Sequence, residues 1–148
     1  MKESKAAILA EALGGDLVPA LPRSCQPGVL VRLGDGRVAV IDELGGETFS
    51  SLSGMDAFLR HGDQRPILAS VEWSRWDCSA DWALGLGRLL GSRERWHSGD
   101  DTWLVLFERA DGLFAVIGEG GVDVYQGRRH WVAYGDGDDR EPRFLGWG

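Results

Sequence analysis

Val29-Leu30-Val31-Arg32-Leu33-Gly34-Asp35-Gly36-Arg37-Val38-Ala39-Val40-Ile41-Asp42-Glu43-Leu44-Gly45 is the stretch on which the fold turns. Two apolar runs, 29–33 and 38–44, flank Gly34-Asp35-Gly36. Asp-Gly between apolar runs is a strong hairpin signal, because the tight turn requires positive φ. The runs are almost continuously apolar rather than alternating, which predicts a sheet covered on both faces. At an offset of 76 residues stands Val105-Leu106-Phe107-Glu108-Arg109-Ala110-Asp111-Gly112-Leu113-Phe114-Ala115-Val116-Ile117-Gly118-Glu119-Gly120-Gly121, and nine of the 17 aligned positions are identical without a gap. At the same offset Leu13 meets Leu89, Gly15 meets Gly91, Phe49 meets Tyr125 and Ala57 meets Ala133. A fixed-period self-match is the signature of an internal repeat.

Working outward, each copy opens on a helix: residues 4–13, and about 79–90. Ile8, Leu9, Ala12 and Leu13 make one apolar face, and Trp82, Leu86, Leu89 and Leu90 make the corresponding stripe. Ser79 suits the N-cap of the second helix, with Asp81 in its first turn. Gly15 and Gly91 are placed to end the helices in a left-handed residue. Gly85 and Gly87 weaken the second helix unless something packs closely there. A loop of about 13 residues follows, then the hairpin, a glycine turn (Gly45-Gly46; Gly120-Gly121) and a short strand (47–50; 122–126). A last helix closes the first copy, with Ser53 as N-cap and Asp56 in a capping-box position. Residues 128–134 take its place in the second. The expected fold is α+β: a tandem duplication of an α-β-β-β-α unit, mainly antiparallel sheet flanked by helices, related by a pseudo-twofold. Residues 1–148 then form one compact domain of two repeats, 1–70 and 71–148, with a groove between them as the natural ligand site.

Composition narrows the function. The 148 residues carry 16 Lys+Arg against 23 Asp+Glu, a net charge of −7. Lys2 and Lys5 are the only lysines. This argues against direct nucleic-acid binding, which needs clustered cations to neutralise phosphates. No apolar run approaches the ~20 residues of a membrane span. The N-terminal residues lack the apolar core of a signal peptide, so a cytoplasmic location is expected. Cys25 and Cys78 stand alone, with no CxxC or Cys/His cluster, so no cofactor or structural metal is expected.

Charge and aromatic content are skewed. All seven Trp lie after residue 70, and residues 71–148 hold 9 cations and 14 anions against 7 and 9 before them. Trp82 and Trp103 read as core. Trp73, Trp76, Trp96 and Trp147 lie in less regular segments, and large aromatics are favoured at binding hot spots. Asp100 and Asp101, beside His97, and the run Asp136, Asp138, Asp139, Glu141 offer carboxylates to a basic partner surface. The run lacks the register of a calcium loop. Arg128, Arg129 and His130 form a small basic island suited to contacting an anion. No nucleophile elbow, P-loop, dinucleotide fingerprint or H-E-x-x-H occurs, so no catalytic residues are nominated and an enzyme is the less favoured reading.

The leading expectation is a non-enzymatic acidic module that occludes a basic protein surface. Small bacterial immunity proteins and phage-encoded anti-defence inhibitors occupy this niche of size and charge, an analogy without a shared motif. The alternative is a protein that binds a nucleotide or sugar, or acts on one, in the groove between the repeats. A homodimer is a further possibility.

Overall fold

A computed structural model describes residues 4–19, 26–91, 94–95 and 103–147; of residues 94 and 95 only the backbone is described. Its elements run α1 (Lys5–Leu13), β1 (Asp16–Val18), β2 (Gly28–Arg32), β3 (Val38–Asp42), β4 (Gly45–Phe49), α2 (Leu52–His61), β5 (Ile67–Glu72), α3 (Ala80–Leu90), β6 (Glu94–Arg95), β7 (Trp103–Glu108), β8 (Phe114–Ile117), β9 (Gly121–Tyr125), α4 (Arg128–Gly135) and β10 (Arg143–Gly146). All pairing is antiparallel. The first sheet has the order β1-β2-β3-β4-β5, and the second runs β10-β9-β8-β7 with the two-residue β6 on the outer edge of β7.

The two halves therefore carry one element order, α-β-β-β-β-α-β. The expected unit lacked two of these strands. The sequence places Asp16–Val18 in a loop because only three residues separate Gly15 from Pro19, while β5 and β10 each begin just after a proline. β5 crosses the boundary drawn between residues 70 and 71, and its pairing places all of it in the first sheet. Equivalent strands match closely: β4 at 45–49 and β9 at 121–125 keep the offset of 76. Beyond the last helix it falls to 74, because α2 has 10 residues and α4 has 8. Glu72 faces Gly45 as Gly146 faces Gly121.

Local chemistry explains the helix ends. The Ser4 hydroxyl accepts the Ala7 N–H at 3.1 Å, and the Ser79 hydroxyl accepts the Trp82 N–H at 3.3 Å. The cap of α2 is Ser51, which accepts the Gly54 N–H at 2.9 Å, rather than Ser53. α1 ends in Gly14 at φ 68°, one residue before the expected Gly15. Gly15 is required for a different reason: a Cβ there would lie 2.4 Å from the Leu30 carbonyl oxygen. Gly45 and Gly46 belong to β4 rather than to a turn. A side chain on Gly45 would meet the Val71 carbonyl at 2.1 Å, and one on Gly46 would meet Leu89 at 2.6 Å. Gly85 admits Val71 and Trp73, each of which would lie within 3.0 Å of an added Cβ.

The strands are apolar on both sides because both sides are covered. Val29, Val31, Ala39 and Ile41 from the first sheet, and Val105, Phe107, Ala115, Ile117 and Val122 from the second, share one core with α1 and α3. α1 rests on β1 and β2 of its own sheet and on β9 and β10 of the other, while α3 rests on β7 and on β4 and β5. On the outer faces, α2 covers Val38, Val40 and Phe49, and α4 covers Phe114 and Tyr125. The halves are clasped by polar contacts as well. Arg109 donates to the Ala12 carbonyl at 3.1 Å at the C-terminal end of α1, where the helix dipole favours a cation. Thr48 donates to the Leu89 carbonyl of α3 at 2.7 Å, and Arg143 pairs with Glu11.

Candidate functional site

Five tryptophans meet between the sheets. Trp82 on α3 is the hub, with ring centroids 5.3 Å from Trp76, 5.8 Å from Trp147, 6.1 Å from Trp103 and 6.2 Å from Trp73. Trp76, expected to be open to a partner, is only 8% exposed and stacks on Trp82. Trp73 is half-buried, and its indole N–H donates to the Glu43 carbonyl at 2.8 Å. Its irregular-looking segment is held by the core, so neither ring stands out as a solvent-facing hot spot. Trp147 takes the equivalent place in the second half, its indole N–H donating to Gly118 at 3.0 Å and its backbone N–H to Gly120 at 3.2 Å. Beside Trp76 lies a pocket of 420 Å³ bounded by Lys5, Glu43 and Arg75. Cys78 is buried next to it, and desolvation pushes its thiol up, with Lys5 opposing. The space between the two hairpins, at Leu33 and Arg109, is a small cleft of 310 Å³. The seam between the halves is thus mostly packed core. Trp96, Asp100, Asp101, His97 and Cys25 lie outside the described residues.

The acidic run after α4 is more informative. α4 ends at Gly135, and the backbone N–H groups of Asp136 and Asp138 both reach the Ala133 carbonyl, at 3.0 and 2.9 Å. Gly137, at φ 105°, lets the chain double back. Asp138 then accepts the backbone N–H of Arg140 at 2.8 Å and its guanidinium at 2.9 Å. The hydrogen bonds from Arg140 hold the Asp138 carboxyl down to about 2. A carboxyl lowered on folding stabilises the fold above its unfolded value. This turn therefore contributes above about pH 4 and is lost as pH falls toward 2.

His130 closes the structure from below. It is 5% exposed. Its Nδ1 accepts the Gln126 N–H at 3.0 Å, so Nε2 carries the proton and donates to the Arg140 carbonyl at 2.6 Å. Both ring nitrogens are used, and the ring sits edge-on to Tyr125 at 5.2 Å. His130 is thus no part of a basic island. The helix turns it inward, and burial of its ring with two satisfied nitrogens makes it the post around which the loop is wound. Arg128 lies 4.8 Å over the Phe114 ring, and Arg129 is exposed. With Arg140 they border an open groove of 1050 Å³ that also takes in Glu108 and Asp136.

The outcome for the predicted carboxylates is mixed. Asp138 is consumed by the turn, while Asp136, Asp139 and Glu141 are exposed. Sequence reasoning missed two exposed aromatic residues of this half: Phe144 is 60% exposed and Tyr134 38%. Tyr134 leans on Tyr125 at 5.9 Å, and Phe144 follows on β10, opposite Asp123. Burial raises the Asp123 carboxyl, and burial, then Asp123 and Tyr134, push the Tyr125 hydroxyl up to about 12. The sequence signal for Phe144 was its place in Arg143-Phe144-Leu145, a short strand after Pro142. Among the described residues no group of three or more His, Cys, Asp or Glu could hold a metal ion, and no helix is long and apolar enough to cross a membrane. Compared with known protein families, curated proteins and solved structures, the chain matches none.

Proposed function

We propose that this chain is a non-catalytic binding module, whose second half presents carboxylates and aromatic rings to a basic protein surface. The observation that carries this reading is the loop wound on His130. It is held by Asp138, Arg140 and the α4 terminus, so Asp139 and Glu141 project from a fixed frame on the half that also exposes Tyr134 and Phe144. Pre-ordered carboxylates save the entropy that a floppy acidic tail would lose on binding. Exposed aromatic side chains among charged ones have the composition of an interface. The acidic bias of this half steers a cationic partner and opposes anionic ones.

The frame is best read as a tandem duplication about a pseudo-twofold. The nine shared residues around the hairpins, the common element order and the reciprocal seating of α1 and α3 support it. One copy then serves as scaffold while the other carries the recognition surface. In the occlusion role proposed from size and charge, an immunity-type or anti-defence inhibitor, the partner would be an enzyme with a cationic active-site rim.

The test is capture from native cells with the wild-type chain and with an Asp139→Lys/Glu141→Lys variant of unchanged circular dichroism. A basic protein retained by the wild type, released by the variant and associating more slowly at high salt is expected. A partner held equally by both chains, with a salt-independent rate, sinks the reading. A small anionic ligand is favoured by one feature, the groove bordered by Arg128, Arg129 and Arg140. Binding of a nucleotide by calorimetry, lost in Arg129→Ala, would support that second reading.

A further inference from the structure

The outer faces of the two sheets carry one constellation, resolved in two ways. In the first half Glu47 on β4 stands between Val40 on β3 and Ser70 on β5. It is 4% exposed, and its carboxylate accepts the Ser70 hydroxyl at 3.2 Å. Phe49, further along β4, packs on Phe58 of α2 at 5.4 Å. In the second half the equivalent acid is Asp123, between Val116 on β8 and Phe144 on β10. Tyr125, further along β9, packs on Tyr134 of α4 at 5.9 Å. The valine is kept. The position of Ser70 is taken by Phe144, and those of both phenylalanines by tyrosines.

Asp123 thereby loses the donor that its counterpart has. It is half-buried, and among the described residues nothing hydrogen-bonds or ion-pairs with its carboxylate. Burial raises that carboxyl, and no neighbouring cation opposes the shift. A partly desolvated carboxylate costs free energy until a cation or a donor reaches it. Phe144 is directly opposite on the paired strand, where side chains on one face stand about 5 Å apart, and it is 60% exposed. Its ring lies back along β10 over Gly146, where an added Cβ would come within 3.2 Å of it. An aromatic ring next to an uncompensated carboxylate attracts a positive charge twice, through the counter-charge and through the ring quadrupole. We infer that Asp123 and Phe144 seat one lysine or arginine side chain of a partner protein, with Tyr125 and Tyr134 next along the same face.

The seat rests on the reading of this chain as a module for a basic protein surface, and it names a point of contact on that module. It is shallow, since Phe144 and Tyr134 both stand open to solvent. A free small cation would stay largely hydrated there. A side chain carried on a partner surface brings its own cover, and excluding water strengthens the pairing. The first half offers no such seat, because its acid is buried and bonded to Ser70.

Titration of the full chain with the peptide Lys-Arg-Lys-Arg, followed by NMR, tests it. The Asp123 carboxylate and Phe144 ring signals are expected to move together. Binding should weaken roughly fivefold in Asp123→Asn and roughly threefold in Phe144→Ser, which restores the first half's residue. Asp81→Asn, which removes an exposed charge on α3, should bind like the wild type. Asp123→Asn keeps the shape and removes an unpaired charge, so it should unfold at no lower denaturant concentration than the wild type. A loss of stability there would make Asp123 a structural residue and overturn the seat. Equal weakening in Asp81→Asn and Asp123→Asn also overturns it, since net charge alone would then explain both. Shifts confined to Asp139 and Glu141 overturn the seat and leave the basic-partner reading standing. Peptide bound at Asp123, with no basic protein captured from native cells, sinks that reading and keeps Asp123 as a cation site.

Discussion

In the first half the helix after the fourth strand, α2, buries none of its ten residues and is held mainly by Met55 and Phe58 over Phe49. Its counterpart α4 is shorter, yet it is pinned by His130, by Trp131 over Phe114 and by Tyr134 over Tyr125. The central helices differ in the same sense. α1 seals its core with Leu9, Ala12 and Leu13, whereas α3 places Trp82 at the hub of five indoles. One element order thus carries two packing styles, an aliphatic one and an aromatic one. Aromatics bring more buried area per residue and N–H groups that seek partners. Trp147 uses both, while the buried indoles of Trp82 and Trp103 contribute area alone. The loops after α2 and α4 are each closed by an Asp–Arg turn, Asp63 with Arg65 and Asp138 with Arg140, and the second is wound in addition on the buried His130.

The contrast breaks first at Trp82. Trp82→Ala removes a fully buried indole that four other rings touch, and the expected loss is about 3–5 kcal/mol in denaturant unfolding. Leu9→Ala, in the aliphatic helix, is expected to cost toward the lower end of about 2–5 kcal/mol. Equal losses would mean that the aromatic hub adds nothing beyond its neighbours.

Arg109 comes next. Its guanidinium caps α1 from the other half and is 15% exposed, so Arg109→Ala should cost about 1.5–3 kcal/mol through a lost charged hydrogen bond and an uncapped helix end. A change confined to the second half, seen by hydrogen exchange as loosening there with α1 untouched, would contradict the clasp.

The smallest effect sharpens the equivalence of Trp73 and Trp147. Each donates its indole N–H to a carbonyl in the turn between the third and fourth strands of its sheet. Trp73→Phe and Trp147→Phe should each cost about 1 kcal/mol. If one is silent while the other is not, the two positions are not counterparts.

Much of this was legible in the residues. The two Asp-Gly hairpins, the helices at Ser4 and Ser79, the doubly covered strands and the burial of Trp82 and Trp103 all follow from local pattern. The last strand of each half was not legible as part of a unit, because an edge strand declares itself only through the neighbour it pairs with. Trp73 and Trp147 escaped comparison because the offset slips by two across the last helix. His130 looked basic beside Arg128 and Arg129. Only the helical turn, which sends it inward onto Gln126 and Arg140, shows that it organises the acidic loop. Phe144 went unremarked since exposure of one side chain on a short strand depends on where α4 stops.

Each central helix lies across both sheets, and this bears on how the chain can be divided. Severing it between Trp73 and Ser79 would leave each fragment holding a helix whose second contact surface belongs to the other. The connecting segment supplies a high effective concentration of one half for the other. Without it, assembly becomes a second-order event, and the fragments would complement one another only above a threshold set by their mutual affinity.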